Sequence, residues 1–154
     1  SKNNKNFERF LFPIDQSTNF KFNKFFREIT KNKNKTKKIL DIKGRKLEID
    51  NFYNKVIKFD FNELCDRNLG SEDYISITNN CDFLFIKNLP NFTENNSNQQ
   101  QRFITFIDII YEKKIPLMIK SEIELNLLQS ANSMKEPFKR TVSRLYELTS
   151  QTFN

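Results

Sequence analysis

Five carboxylates, Asp60, Glu63, Asp66, Glu72 and Asp73, fall close together and are the densest group in the chain that could do acid–base chemistry. Paired carboxylates can share the roles of general acid and base. Here the neighbouring residues favour capping and solvation instead. Phe61-Asn62-Glu63-Leu64-Cys65 and Ser71–Thr78 read as short helices, and acids suit their first turns. The chain has no histidine, which removes the commonest general base and metal ligand together. With only two glycines, Gly44 and Gly70, it cannot build a GxxxxGK[ST] loop around a phosphate. Cys65 and Cys81 have neither disulfide-framework nor metal-site spacing and read as small core residues of a reducing compartment. The sequons at Asn34, Asn91 and Asn95 carry little weight in such a compartment. No catalytic centre is visible. Arg140, Arg144 and Glu147 recur at steps of four and three, which puts them on one helix face. Arg102 opens another helix, where an ion pair with a carboxylate is expected.

The elements that must position these residues centre on Asp82–Glu122. Phe83-Leu84-Phe85-Ile86 is apolar on consecutive positions, as in a strand buried on both faces of a parallel sheet. The polar segment Asn91–Gln101 leads to a helix whose Phe103, Phe106, Ile107, Ile110 and Tyr111 share one face, with Lys113-Lys114 in its last turn. Ile115–Lys120 is the second strand, so the unit is a βαβ crossover with any ligand expected near the carboxyl ends of its strands. Upstream, Phe7–Phe12 is a short strand. Asp15, Ser17 or Thr18 can cap a helix over Asn19–Thr30 with the stripe Phe22, Phe25, Phe26 and Ile29. Lys31–Lys38 is a solvated loop. Ile39–Lys43 and Lys46–Ile49 flank Gly44-Arg45, which suits a type II′ hairpin, and Tyr53–Phe59 follows as a third strand. Gly70 can close one helix in a left-handed conformation and Ser71 can cap the next. Glu122–Gln129 reads as a helix and Ser130–Glu136 as a loop. Pro137 opens a last helix to about Thr149 with Phe138, Val142 and Leu145 inward.

The fold class is therefore α/β: a βαβ unit of a mainly parallel sheet with flanking helices, a small antiparallel hairpin unit and a C-terminal helix. At 154 residues one core is expected. It would comprise a hairpin-containing segment of about 7–59 and a segment of about 60–154 holding the short helices, the βαβ unit and the last helix. Two or three parallel strands would leave apolar faces in need of a partner. The start at Ser1 reads as the start of a fragment. No apolar run reaches the ~20 residues of a spanning helix. The net charge of +7 raises the question of nucleic acid, with Lys31–Lys38 and Lys113-Lys114 as the basic candidates. A lysine-, asparagine-, isoleucine- and phenylalanine-rich composition, all A/T-rich codons, explains that charge without a specific nucleic-acid partner.

The strand–helix–strand pattern also resembles the strands around the Walker B acid of a nucleotide hydrolase. That acid would end the first strand and hold magnesium, but Lys87 and Asn88 stand there.

Longer motifs carry a family resemblance. Phe61-Asn62-Glu63-Leu64-Cys65 and Leu69-Gly70-Ser71-Glu72-Asp73-Tyr74 resemble an "F-x-x-L-C…L-G-x-x-D-Y" segment. Leu89-Pro90, Arg102-Phe103-Ile104, Ile107-Asp108 and Tyr111 resemble "P…R-F-I-x-L-(I/V)-D-x-x-Y". Phe138-Lys139-Arg140-Thr141-Val142-Ser143-Arg144-Leu145-Tyr146-Glu147 resembles "F-x-R-T-x-S-R-L-x-E". These motifs, with Phe10–Asp15 and Gly44-Arg45, are similar in order and spacing to the ZapE and AFG-type ATPases. The resemblance implies the carboxyl-terminal half of an AAA+ P-loop ATPase that couples ATP hydrolysis to remodelling a protein partner. It further implies ATP and Mg2+ held mainly by an amino-terminal P-loop half, and no cofactor held by this chain alone. The protein substrate would be the FtsZ division ring in bacteria, or a target of membrane protein quality control in mitochondria. A homo-oligomer is also implied. The expected location is the bacterial cytoplasm, at the division site or inner membrane face, or alternatively the mitochondrial matrix. Arg140 and Arg144 become nucleotide-sensing candidates. Leu64, Cys65, Gly70, Asp73, Tyr74, Pro90, Arg102, Phe103, Asp108, Tyr111, Phe138, Ser143 and Glu147 become motif residues of structural role. The competing readings are a stand-alone, non-enzymatic interaction module and a basic nucleic-acid-binding domain.

Overall fold

A computed structural model describes residues 8–153. Phe7, at the start of the first expected strand, lies outside them. The chain runs β1 (Phe10–Leu11), α1 (Gln16–Ile29), β2 (Thr36–Ile42), β3 (Arg45–Tyr53), β4 (Val56–Asp60), α2 (Phe61–Cys65), α3 (Ser71–Thr78), β5 (Phe83–Leu89), α4 (Ser97–Glu112), β6 (Leu117–Ser121) and α5 (Lys135–Ser150). One six-stranded sheet has the order β1-β6-β5-β4-β3-β2. Strands β1, β6, β5 and β4 are parallel, while β3 and β2 join antiparallel. The fold is α/β, mostly parallel, with flanking helices and a C-terminal helix.

The consecutive apolar run of β5 divides its side chains between two cores, because successive Cβ atoms point to opposite faces of the sheet. Leu84 and Ile86 join Ile57, Phe59, Leu117 and Ile119 under α2 to α5. Phe83 and Phe85 join Val56 and Met118 under Phe22 and Phe26 of α1. Phe85 takes Phe22 and Phe26 edge-on, at ring-centroid distances of 5.6 and 4.9 Å. Edge-to-face pairing adds about 0.5–1.5 kcal/mol to what area burial provides. Both faces of the central strands are thus covered from within the chain, where the expectation was of faces awaiting a partner.

The hairpin is not a separate unit. Strands β2 and β3 continue the sheet, and Leu40, Ile42, Leu47 and Ile49 point into the larger core. Its turn also differs from the expected type. Ile42 pairs with Arg45, so Lys43 and Gly44 are the central residues, with φ of 52° and 84°. Two positive values make the turn type I′, whose twist matches the strands, rather than type II′.

Other boundaries moved for local reasons. Helix α1 starts at Gln16 because Asp15 accepts from the Thr18 amide at 2.9 Å, closing a capping box with the Thr18 hydroxyl. Helix α4 starts at Ser97, so the Asn- and Gln-rich stretch is partly helical. Long polar side chains have adequate helix propensity, and Gln100 is fully buried. Lys113 and Lys114 lie past its end, Lys114 with φ 53°. Gly70 is extended rather than left-handed and precedes Ser71, the first residue of α3. The expected helix at Glu122–Gln129 is only a 3-10 turn over Leu125–Leu127, and Asn132–Met134 forms another. Helix α5 begins at Lys135, two residues before Pro137.

Candidate functional site

The two nucleotide-sensing candidates lie on α5 where it packs along α4. Their common partner is Asp108. Arg144 Nη1 meets Asp108 Oδ1 at 2.6 Å, and Arg140 Nη2 meets Asp108 Oδ2 at 3.3 Å. One carboxylate oxygen therefore serves each guanidinium, and neither pair is the two-bond fork that Arg and a carboxylate can form. Arg144 is further fixed with its guanidinium 4.4 Å from the Tyr111 ring centroid, and only 22% of its side chain is exposed. Arg140 is 53% exposed and keeps its remaining N–H donors in solvent. Lys114 lies over the same Tyr111 ring at 3.6 Å and 4.0 Å from Glu147. Spacing alone puts Glu147 on the same helix face as these arginines. The structure gives Glu147 to Lys114, because the packing of the two helices brings Asp108 opposite the arginines instead.

The inward edge of α5 sets this face. Phe138 packs edge-on against Phe92 at 5.5 Å, Leu145 is fully buried and Val142 is partly covered. Ser143 is exposed between them.

The remaining motif residues knit short helices together. Tyr74 O–H donates to the Leu64 carbonyl at 2.8 Å, tying α3 to α2. Arg102 donates to the Cys65 carbonyl at 3.0 Å, tying α4 to α2. No carboxylate pairs with it among the described residues, contrary to the expected ion pair; the last carbonyls of a short helix lack an intrahelical partner and accept in its place. Asp73 accepts from the Gly70 amide at 2.8 Å and from Arg45 at 2.6 Å, so the hairpin is joined to α3. Phe103 is fully buried beside Phe61 and Phe92, and Pro90 follows β5. Burial pushes the Cys81 thiol up to about 12, pushes the Cys65 thiol up further, and raises the Tyr74 phenol. These thiols are therefore poor nucleophiles.

At the carboxyl ends of the strands, Lys87 and Asn88 form an irregularity in β5. Asn88 has φ 64° and donates to Asp60 Oδ2 at 2.7 Å. Asp60 also caps α2 through Oδ1. Neither Lys87 nor Asn88 offers the carboxylate oxygen that magnesium needs at the end of this strand. Among the described residues, no three of His, Cys, Asp and Glu are grouped as metal ligands.

Two features were missed in the sequence reading. Arg9 is 3% exposed and donates to the carbonyls of Leu117, Leu148 and Gln151, pinning β6 to the end of α5. Burial lowers its pKa, and the Phe153 ring 4.8 Å from the guanidinium helps to hold the charge. An Arg just before a short strand gives no sequence signal of such a role. The second is a set of lysines that follow isoleucine in the three parallel strands β4, β5 and β6: Ile57-Lys58, Ile86-Lys87 and Ile119-Lys120. The dipeptide alone did not single them out, because Ile42-Lys43 repeats it at the hairpin turn.

Among the described residues no helix is long and apolar enough to cross a membrane. Among known proteins, the cell division protein ZapE of Escherichia coli K12 is 24% identical over 143 residues, 93% of this chain and 38% of its own length. Lactation elevated protein 1 homolog B of Danio rerio is 28% identical over 97 residues, 63% of this chain and 19% of its own. An uncharacterized protein of Schizosaccharomyces pombe is 27% identical over 84 residues, 54% of this chain and 18% of its own. The chain thus spans under two fifths of the length of the curated relatives it matches. No solved structure matches it significantly. The profile of the AFG1-like ATPases aligns with residues 2–154, taking in all the motif residues placed above, and the chain belongs to that family.

Proposed function

We propose that this chain is the nucleotide-responsive and partner-facing part of an AFG-type AAA+ ATPase. ATP and magnesium would be held mainly by a P-loop part on its amino-terminal side. The observation that carries this reading is the pair of guanidiniums on one solvent-facing side of α5, sharing a single carboxylate. Two cations on one anion leave a positive face, and Arg140 has N–H donors free for a phosphate oxygen. Such a donor matters more as charge develops during phosphoryl transfer than in the resting complex. Helix α5 is then the element through which the nucleotide state reaches the rest of the fold. The work done would be remodelling of a protein partner. The name of the ZapE relative, a cell division protein, supports a setting in bacterial cell division. The FtsZ ring as substrate, a homo-oligomeric assembly and a cytoplasmic site at the inner membrane face are further parts of the proposal. The mitochondrial matrix is the setting if the protein instead serves membrane protein quality control.

The test uses the intact ATPase containing this chain. Arg140→Ala should cut ATP turnover by roughly a hundredfold, with a smaller loss of nucleotide affinity and an unchanged melting temperature. Arg144→Ala should lower turnover and melting temperature together, because its stacking on Tyr111 is lost as well. Normal turnover in Arg140→Ala removes the sensing role.

A further inference from the structure

Lys58, Lys87 and Lys120, on the adjacent strands β4, β5 and β6, lie on the sheet face covered by α1. Lys58 sits two residues before Asp60, and Asp60 pairs with Lys87 across β4 and β5. Lys120 sits two residues after Met118, which belongs to the same core as Phe85. An extra residue in β5 between its pairings Ile86↔Ile119 and Leu89↔Ser121 forms a bulge at Lys87-Asn88. Bulges of this kind re-aim a side chain at the end of a strand. Adjacent strands lie about 4.8 Å apart, so these are neighbouring charges. They occupy the carboxyl ends of parallel strands, where open α/β sheets bind ligands.

Among the described residues no carboxylate forms an ion pair with any of the three. Every carboxylate within ion-pair reach of a lysine among the described residues serves Lys37, Lys43, Lys46, Lys114 or Lys139 instead. Lys120 is only 7% exposed, and its ammonium donates to the neutral Asn19 on α1 and sits 4.8 Å from the Phe22 ring centroid. Lys58 lies 4.2 Å over Phe26. Asp60 is held by Asn88 and the α2 amide and forms no ion pair with a lysine; its charge favours the Lys120 ammonium, against the larger opposing effects of burial and Lys87. Burial first, and then the like charges of Lys87, Lys120 and Lys35, lower the pKa of Lys58; burial and Lys87 lower that of Lys120. Holding ammonium groups together without a counter-ion opposes folding, and an arriving anion would relieve it.

We propose that Lys58, Lys87 and Lys120 form a phosphate-binding site for a compact polyanion, either inorganic pyrophosphate or the phosphate tail of a nucleotide. Lysine suits phosphate as a compact point charge. The site is distinct from the arginine face of α5, and it stands whether or not that face senses nucleotide.

The experiment is calorimetric titration of the full chain with inorganic pyrophosphate at low ionic strength. Saturable one-site binding that weakens as salt is raised is expected. Lys87→Gln, at a partly exposed position, should weaken it roughly tenfold with the fold intact, as should Lys120→Met. Lys46→Gln on β3 is the control and should change nothing. ATP binding like tripolyphosphate, with adenosine silent, assigns recognition to the phosphates alone. ATP binding tighter than tripolyphosphate assigns the site to a nucleotide. No binding by the unaltered chain overturns the proposal, and so does equal affinity in the Lys87 and Lys120 variants. Affinity for single-stranded oligonucleotides that grows with length and exceeds that for pyrophosphate overturns it in favour of a nucleic-acid surface.

Discussion

At the scale of single residues, this protein places charge where its neighbours decide what the charge does. Arg9 and Lys120 are nearly equally buried, yet Arg9 has three carbonyl acceptors and Lys120 has one neutral amide. The difference has a measurable consequence in alkali. Burial first, and then the like charges of their lysine neighbours, depress the pKa of Lys58 and Lys120 below the ordinary 10.5, while Asp60 opposes the shift at Lys120. The unfolded chain then binds more protons than the folded one between the depressed values and 10.5, so these lysines make stability rise with pH in that window. Cys65, Cys81 and Tyr74 act in the opposite sense. Their raised values mean that the unfolded chain releases protons first, and stability falls as pH climbs past 9 to 10. A difference measurement separates the two. Lys58→Met/Lys120→Met should melt higher than the unaltered chain at pH 7, and that advantage should shrink steadily towards pH 10.5. A constant gap across thermal melts from pH 7 to 10.5 would show that the lysines pay no burial penalty.

At the scale of elements, the hairpin shows how a local rule and a tertiary contact compete. The type I′ turn at Lys43-Gly44 asks for two residues that tolerate positive φ, and lysine is a poor choice for the first. Lys43 gains an exposed ion pair with Glu72 at 2.7 Å, worth about 0–1 kcal/mol. Lys43→Asn should therefore stabilise the chain by roughly 0.5 kcal/mol despite losing that pair, read as a higher urea midpoint with an unchanged slope. A type II′ turn centred on Gly44-Arg45 would give no such gain. The same hairpin delivers Arg45 to the buried Asp73, so stiffening the turn also steadies the α3 cap.

At the scale of the whole molecule, two cores share one sheet and differ greatly in size. The smaller depends on α1, with Phe22 and Phe26 over Phe83, Phe85 and Met118. Phe22 is fully buried, and Phe22→Ala should cost about 3–5 kcal/mol through lost transfer energy and the cavity left behind. If the two cores unfold as one, chemical denaturation of that variant stays a single transition with an unchanged slope. A separate early transition would show that α1 is an independently docking element.

Strand, helix and strand around Phe83–Ile86 were legible in the sequence because burial on both faces leaves an unbroken apolar run. The stripe on α4 was legible because its face repeats at helical steps. So were the hairpin, the absence of a P-loop, and the family motifs that join Leu64, Cys65, Tyr74 and Arg102. Those are properties of the chain within a few residues of each position. Tertiary structure decided what depends on distant neighbours. It made Asp108 rather than Glu147 the partner of Arg140 and Arg144, because the packing of α4 along α5 fixes which side chains face each other. It reduced Glu122–Gln129 to a 3-10 turn although its pattern allowed a helix. It joined the hairpin to the parallel sheet, since β4 pairs with β5 on one side and β3 on the other. It also gathered Lys58, Lys87 and Lys120, each an ordinary residue in its own strand, because parallel pairing aligns the ends of strands that lie tens of residues apart in sequence.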